Sequence, residues 1–201
     1  MATRVLLIMC EGKTEKAYFD ILTRIFRIPM HINIQIYAEE GQHKALVDRG
    51  VEKRRELAGE FDISEEEIET WAVCDDDNMP YSYQTLLEYA EQYEVELAFS
   101  KPQFEYYILQ HFEPFKLYRQ SEIYERMAYY RGQCGATCEY GKGLKADLGW
   151  LENMLIDKPK LVSMAIRNSN ERDSSHGKTF LTVQRLTQRL YDLDIDRRHI
   201  R

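Results

Sequence analysis

Two acidic stations carry most of the chemistry this sequence offers. Glu11 follows the apolar run Val-Leu-Leu-Ile-Met at residues 5–9, and Asp75-Asp76-Asp77 follow Trp-Ala-Val-Cys at residues 71–74. If residues 75–77 stay extended, Asp75 and Asp77 point one way and Asp76 the other. Adjacent carboxylates repel, and a hard divalent cation with oxygen ligands, Mg2+ or Mn2+, removes that repulsion. An exposed loop capping the next helix accounts for the same aspartates without a metal. Glu15 lies one helical turn after Glu11 and reads equally as a further ligand or as an acid favoured by the start of a helix.

Gly12-Lys13-Thr14 has the ending of a phosphate-binding loop but not its spacing. The first glycine of such a loop belongs five residues earlier, where Leu7 stands inside the apolar run. What remains is a strand, a carboxylate at its end, a glycine and a helix.

These acids need elements to position them. Residues 4–9 read as a buried strand and 14–27 as a helix with Ala17, Tyr18, Ile21, Leu22, Ile25 and Phe26 at helical spacing. Residues 31–38 alternate as a half-buried strand, and 42–58 read as a helix with a basic outer face. Residues 65–69 read as an acidic helix end or loop, 70–74 as a strand, 83–93 as a helix and 94–100 as a short strand. A further helix opens at Pro102 and runs to about Phe112. Alternating strands and helices through residue 113 predict an α/β fold, a mainly parallel sheet flanked by helices. Beyond Pro114 the pattern predicts helices over 118–130, 145–156, 159–168 and 179–193, with a loop over 132–143. The expected organisation is an α/β domain over 1–113 and a helical extension, 114–201, packed on it.

The bulk composition sets limits. The 201 residues are 44% hydrophobic and 30% charged, enough for an ordinary core. The net charge of −7 argues against a protein that coats nucleic acid by bulk charge, but not against an enzyme with an acidic, cation-holding site. Clustered basic residues at Arg49, Lys53, Arg54 and Arg55 read as a solvated helix face. No apolar run reaches about 18 residues, so no membrane is expected. The start lacks a signal-peptide pattern, and four cysteines form no dense disulfide framework, which makes the cytoplasm the expected location. Cys134-x-x-x-Cys138 has metal-like spacing without a second ligand pair.

Here the residues resemble a known family. Glu11-Gly12 after the first strand and Asp75-x-Asp77 after the third look like the Toprim domain. More specifically, "CEGKTEKAYF", "WAVCDDDN" and "AFSKPQFEYYILQHFE" resemble the RloB family of Toprim-like proteins from restriction-linked and anti-phage defence loci. The resemblance covers residues 4–113 and continues weakly through Tyr140-x-Lys142 and "TVQRLTQRL". It implies an acidic site of Glu11, Asp75 and Asp77 holding Mg2+ or Mn2+, with Glu11 as acid/base, and it draws in Glu15, Glu105 and His111. Lys101 stands where the family has Asn before the proline, offering a charge to phosphate in place of an amide. Asn78 stands where the family often has another acid. Glu105 and His111 are six residues apart, about 600° of helix, so they do not share one face closely. Glu105 is nearer the strand end, and His111 also reads as a packed core histidine.

The expected function is therefore a Toprim-type, metal-dependent phosphodiester hydrolase, a nuclease acting in anti-phage defence. Candidate catalytic residues are Glu11, Glu15, Lys101 and Glu105; candidate metal ligands are Glu11, Asp75 and Asp77; candidate substrate contacts are Lys13, Lys101, His111 and Lys142. The substrate would be RNA or DNA, with a partner ATPase or other defence protein and a homo-oligomer as further expectations. Nothing singles out a covalent tyrosine among the 14 present, which favours hydrolysis. One alternative is a non-catalytic metal-dependent nucleotide or nucleic-acid binding module. The other, a small-molecule phosphatase, needs its nucleophilic Asp after the first strand, where Glu11 stands.

Overall fold

Each strand end that matters for the site is fixed by which apolar residues must be covered. A computed structural model describes residues 4–39, 41–114, 116, 119–172 and 179–195, without the Lys142 side chain. The first strand, β1 (Arg4–Cys10), is buried on both faces after Arg4. Leu6, Ile8 and Cys10 enter one core cluster, and Val5, Leu7 and Met9 enter the other. That division is why the run is continuously apolar rather than alternating. Helix α1 (Lys13–Ile25) buries Tyr18, Phe19, Ile21 and Leu22 against the first cluster.

The chain continues through β2 (Ile32–Ala38), α2 (His43–Phe61), a 3-10 turn (Glu65–Glu67), β3 (Ile68–Asp75), α3 (Tyr83–Gln92) and β4 (Glu96–Lys101). The acidic stretch closes as a capping box: Ser64 accepts from the Glu67 backbone while Glu67 accepts from the Ser64 backbone. Then follow α4 (Phe104–Leu109), α5 (Gln120–Gln133), a 3-10 turn (Lys142–Leu144), α6 (Gly149–Asp157), α7 (Lys160–Asn170), β5 (Phe180–Leu181) and α8 (Val183–Leu193).

The sheet order is β2-β1-β3-β4-β5. The first four strands are parallel, and β5 pairs antiparallel with β4 through Ser100–Leu181 and Lys101–Phe180. This is an α/β fold. The chain leaves β1 toward β2 on one side and returns to β3 on the other, so the order reverses between β1 and β3. In open α/β sheets, that reversal opens a crevice at the carboxyl ends of the strands.

Three elements differ from the pattern-based expectation. Helix α4 ends at Leu109 because the next amides bond three residues back: Gln110 to Tyr107, His111 to Ile108 and Phe112 to Leu109. Residues 145–148 are not helical, and α6 begins only at Gly149. Residues 180–181, expected to be helical, instead form β5, where the Thr182 hydroxyl accepts from the Phe99 amide at 2.8 Å. The segment after residue 114 thus adds a strand to the sheet. Its helices α5–α8 share one apolar cluster with α1 and α4.

Candidate functional site

Glu11 is the first residue past β1, and its amide continues the ladder by donating to Val73 O at 3.0 Å. Asp75 is the last residue of β3, so the two acids flank the crevice between adjacent parallel strands. Gln42 lines the same cavity, and Glu11 Oε2 is buried with no hydrogen-bond partner. Asp75 Oδ1 accepts the Asp77 amide at 3.0 Å, which curls the chain back after the strand. Asn78 then takes φ 54°, a left-handed conformation that Asn tolerates better than most residues.

Glu15 reaches the same place from the first turn of α1. It is 6% exposed. Glu105, in the first turn of α4, is 1% exposed. Its Oε1 accepts from Tyr140 Oη at 3.0 Å and pairs with Lys145 Nζ at 3.1 Å. Glu11, Glu15, Asp75, Asp77 and Glu105 all line one open cavity of about 460 Å3, together with Lys13, Glu39, Gln42 and Lys145.

The electrostatics follow from crowding. Burial, then the charge of Asp75, pushes Glu11 up to about 7. Burial pushes Glu15 up to about 8, with Asp75, Glu105 and Glu11 adding repulsion. Asp75 rises to about 6 through burial and the charges of Glu105 and Asp77, partly opposed by the Asp77 amide and Lys145. Near neutral pH this site can hold, take up or release protons, as acid–base chemistry requires.

Among the described residues, no three Asp, Glu, His or Cys groups already stand in a metal-binding arrangement. The donor chemistry still suits a hard divalent cation. The lining acids offer only oxygen, Glu11 Oε2 lacks a partner, and their mutual repulsion is what a cation relieves.

A family model for RloB-like proteins matches residues 6–190. The chain belongs to the RloB-like family. No curated protein and no solved structure matches it. The family match runs well past residue 113 and includes the segment that carries Tyr140 and Lys145.

The remaining candidates of the RloB-like chain fall in different places. Lys13 lines the cavity and pairs with Glu39 at 3.3 Å, both strongly exposed. Asp76 leaves the cluster and meets Lys101 Nζ at 3.2 Å. Lys101 is thus paired with Asp76 beside the acidic cavity and is not among its lining residues. His111 needs correction as a substrate contact. It is fully buried, with Nε2 3.1 Å from Tyr18 Oη and Nδ1 3.0 Å from Ile108 O, so no substrate reaches it. The Lys142 side chain lies outside the described residues.

Two residues escaped the sequence argument. Gln42 lines the cavity, and His43 Nε2 lies 3.1 Å from the Asp75 carbonyl while its backbone takes φ 49°. Both follow the end of β2. The strand-end rule that picked out Glu11 and Asp75 would have found them had it been applied to polar residues of every kind. A larger cavity, about 750 Å3, opens at the opposite strand ends around Arg4, Glu69 and Arg189. There Glu69 and Arg189 already satisfy each other at 2.7 Å.

Proposed function

We propose that this RloB-like protein is a divalent-metal-dependent phosphodiester hydrolase acting on RNA or DNA in anti-phage defence. One observation carries the reading. Acids from the ends of β1 and β3 and from the first turns of α1 and α4 line one cavity at the reversal of strand order, and Glu11 keeps an unpartnered buried oxygen there.

Glu11, Asp75 and Asp77 would hold Mg2+ or Mn2+, and a bound cation would supply charge stabilisation at a phosphoryl oxygen. The chain's own residues account for the rest. Glu11, raised to about 7, can accept a proton from an attacking water or return one to a leaving oxygen at neutral pH. Glu15, raised to about 8, can carry a proton that lowers the net charge of the cavity before a phosphodiester enters. Lys13 adds positive charge at the rim.

A second reading has one observation in its favour. Glu105 is held by Tyr140 and Lys145, which leaves it engaged rather than free for chemistry. That suits a module that binds metal and nucleic acid without turnover. The deciding experiment incubates the pure protein with mixed RNA and DNA, with and without Mn2+ or Mg2+, alone and with a candidate partner ATPase. Metal-dependent cleavage abolished by Asp75→Asn supports the hydrolase. Metal binding without cleavage under every condition supports the binding module.

A further inference from the structure

The acidic cavity has an unsolved problem of charge. Among the described residues, six acidic side chains line it, Glu11, Glu15, Glu39, Asp75, Asp77 and Glu105, against two lysines. A phosphodiester brings a negative charge at every linkage, so entry needs fixed positive charge beyond any bound cation. Lys13 answers poorly. It is mostly solvent-exposed and tied to Glu39, where water and salt screen it.

Lys145 is placed differently. Its side chain is about a third exposed (32%), it lines the cavity, and its ammonium lies 3.1 Å from Glu105 Oε1. The Tyr124 ring lies beneath the ammonium, 5.6 Å from its centroid. Tyr124 packs edge-on against Tyr140 at 5.2 Å, and Tyr140 Oη donates to the same oxygen of Glu105. The arrangement is a clasp built from α4, α5 and the loop before α6. Burying a carboxylate as deeply as Glu105 is costly unless it is paired and hydrogen-bonded. Lys145 and Tyr140 supply both, and Glu105 in turn fixes where the ammonium sits. Burial alone would lower the Lys145 pKa, but Glu105 outweighs it and pushes it up to about 12, so the charge is present at any working pH. That charge also reaches Asp75.

We propose that Lys145, held by Glu105 and Tyr140, is the phosphate anchor of this site, binding a phosphodiester oxygen of a nucleic acid beside Asp75. Glu105 is then a positioning residue for Lys145 rather than a proton-transfer group. The proposal rests on the hydrolase reading for the site as a whole, but it predicts a binding contribution separable from turnover. An ammonium pinned on one side by a carboxylate still has donors for an incoming oxygen, since Lys carries three.

The test measures binding of a fluorescein-labelled single-stranded DNA decamer, and of its RNA counterpart, in Ca2+ and in EDTA, alongside Mn2+ titration and thermal melting. The proteins are the full chain and its Lys145→Gln, Lys145→Arg and Tyr140→Phe variants. Expected results are at least a tenfold weaker decamer Kd for Lys145→Gln, near-native binding for Lys145→Arg, and a smaller loss for Tyr140→Phe. Mn2+ affinity should stay level or rise in Lys145→Gln, because a competing positive charge is gone. If both lysine variants melt far below the wild type, or if Lys145→Gln binds the decamer as tightly as the wild type, the anchor assignment is overturned. The two readings fail separately. Lys145-dependent decamer binding without metal-dependent cleavage retains the anchor and removes the hydrolase. Cleavage with an unchanged KM in Lys145→Gln removes the anchor and retains the hydrolase.

Discussion

A Cβ on Gly12 would stand 2.8 Å from Glu15 Oε2. The Glu15 carboxylate folds back over the start of α1 into space that only glycine leaves. Conformation does not explain this glycine, since φ −130° and ψ 175° are open to any residue. Contact with the carboxylate does.

Gly12→Ala should therefore keep the fold and displace one side chain. The tip of Glu15 is the movable partner, so the melting temperature should change little. Turnover, if Glu15 serves the site, should fall on the order of tenfold, which corresponds to about 1.4 kcal/mol of barrier. Thermal melting and metal-dependent cleavage, run on the same preparation, check both halves. A large drop in melting temperature would mean that the helix start, not Glu15, needs the glycine.

Asp75→Asn and Glu11→Gln should separate metal binding from proton transfer. Asp75→Asn removes ligand charge and should abolish Mn2+ binding. It should also stabilise the metal-free protein by roughly 1 kcal/mol by relieving like-charge contact, since Asn retains an oxygen for the Asp77 amide. Glu11→Gln should keep much of the metal affinity and lose turnover by about a hundredfold or more. Mn2+ titration, melting with and without metal, and cleavage of RNA and DNA distinguish the outcomes. Wild-type cleavage by both variants would reject the site.

The pH dependence of the metal-free protein has a defined sign. Glu11, Glu15 and Asp75 are raised to about 7, 8 and 6, so each holds its proton more tightly folded than unfolded. Their stabilising contribution is complete below the ordinary carboxylate range and is lost as pH rises through 6 to 8. Buried His111, lowered to about 4, acts oppositely, and its contribution is lost as pH falls from about 6.5 toward 4. Between pH 7 and 8.5 only the carboxylates act, and the metal-free melting temperature should decline. Saturating Mn2+ should flatten that decline, because bound metal keeps the carboxylates ionised. A metal-free protein whose melting temperature is constant over this window would contradict the assignment.

Tyr18→Phe tests the histidine. It removes the hydroxyl that meets His111 Nε2 in the core and leaves that ring nitrogen unpaired. The expected cost is about 1–2 kcal/mol of stability with turnover within about twofold of the wild type. Denaturant melts and initial rates check it. Loss of activity with unchanged stability would return His111 to the site.

Much of the fold was legible because both faces of the sheet had to be covered. The runs at residues 5–9 and 71–74 admit no polar residue, and both are strands in the observed fold. Helix α1 showed through the spacing of Tyr18, Ile21, Leu22 and Ile25. Local periodicity was weaker at residues 180–181, where the edge of β4 captures two residues from a stretch with helical spacing. A sheet edge 80 residues away leaves no mark in a local pattern.

The site divides the same way. That acids end the first and third strands is a property of the sequence alone, as is the α/β alternation that sends such ends toward one crevice. Which partners those acids keep was decided by the tertiary structure. Lys101 and Asp76 meet because β3 and β4 end side by side, and this takes Lys101 out of the cavity. His111 is sealed under Tyr18, 93 residues earlier in the chain. Glu105 receives Tyr140 and Lys145 from a loop 35 and 40 residues onward, a pairing that no spacing encodes. Strand ends are set by which apolar residues need covering, a local quantity. Ion pairs are set by where separate elements come to rest, and only the packed core fixes that.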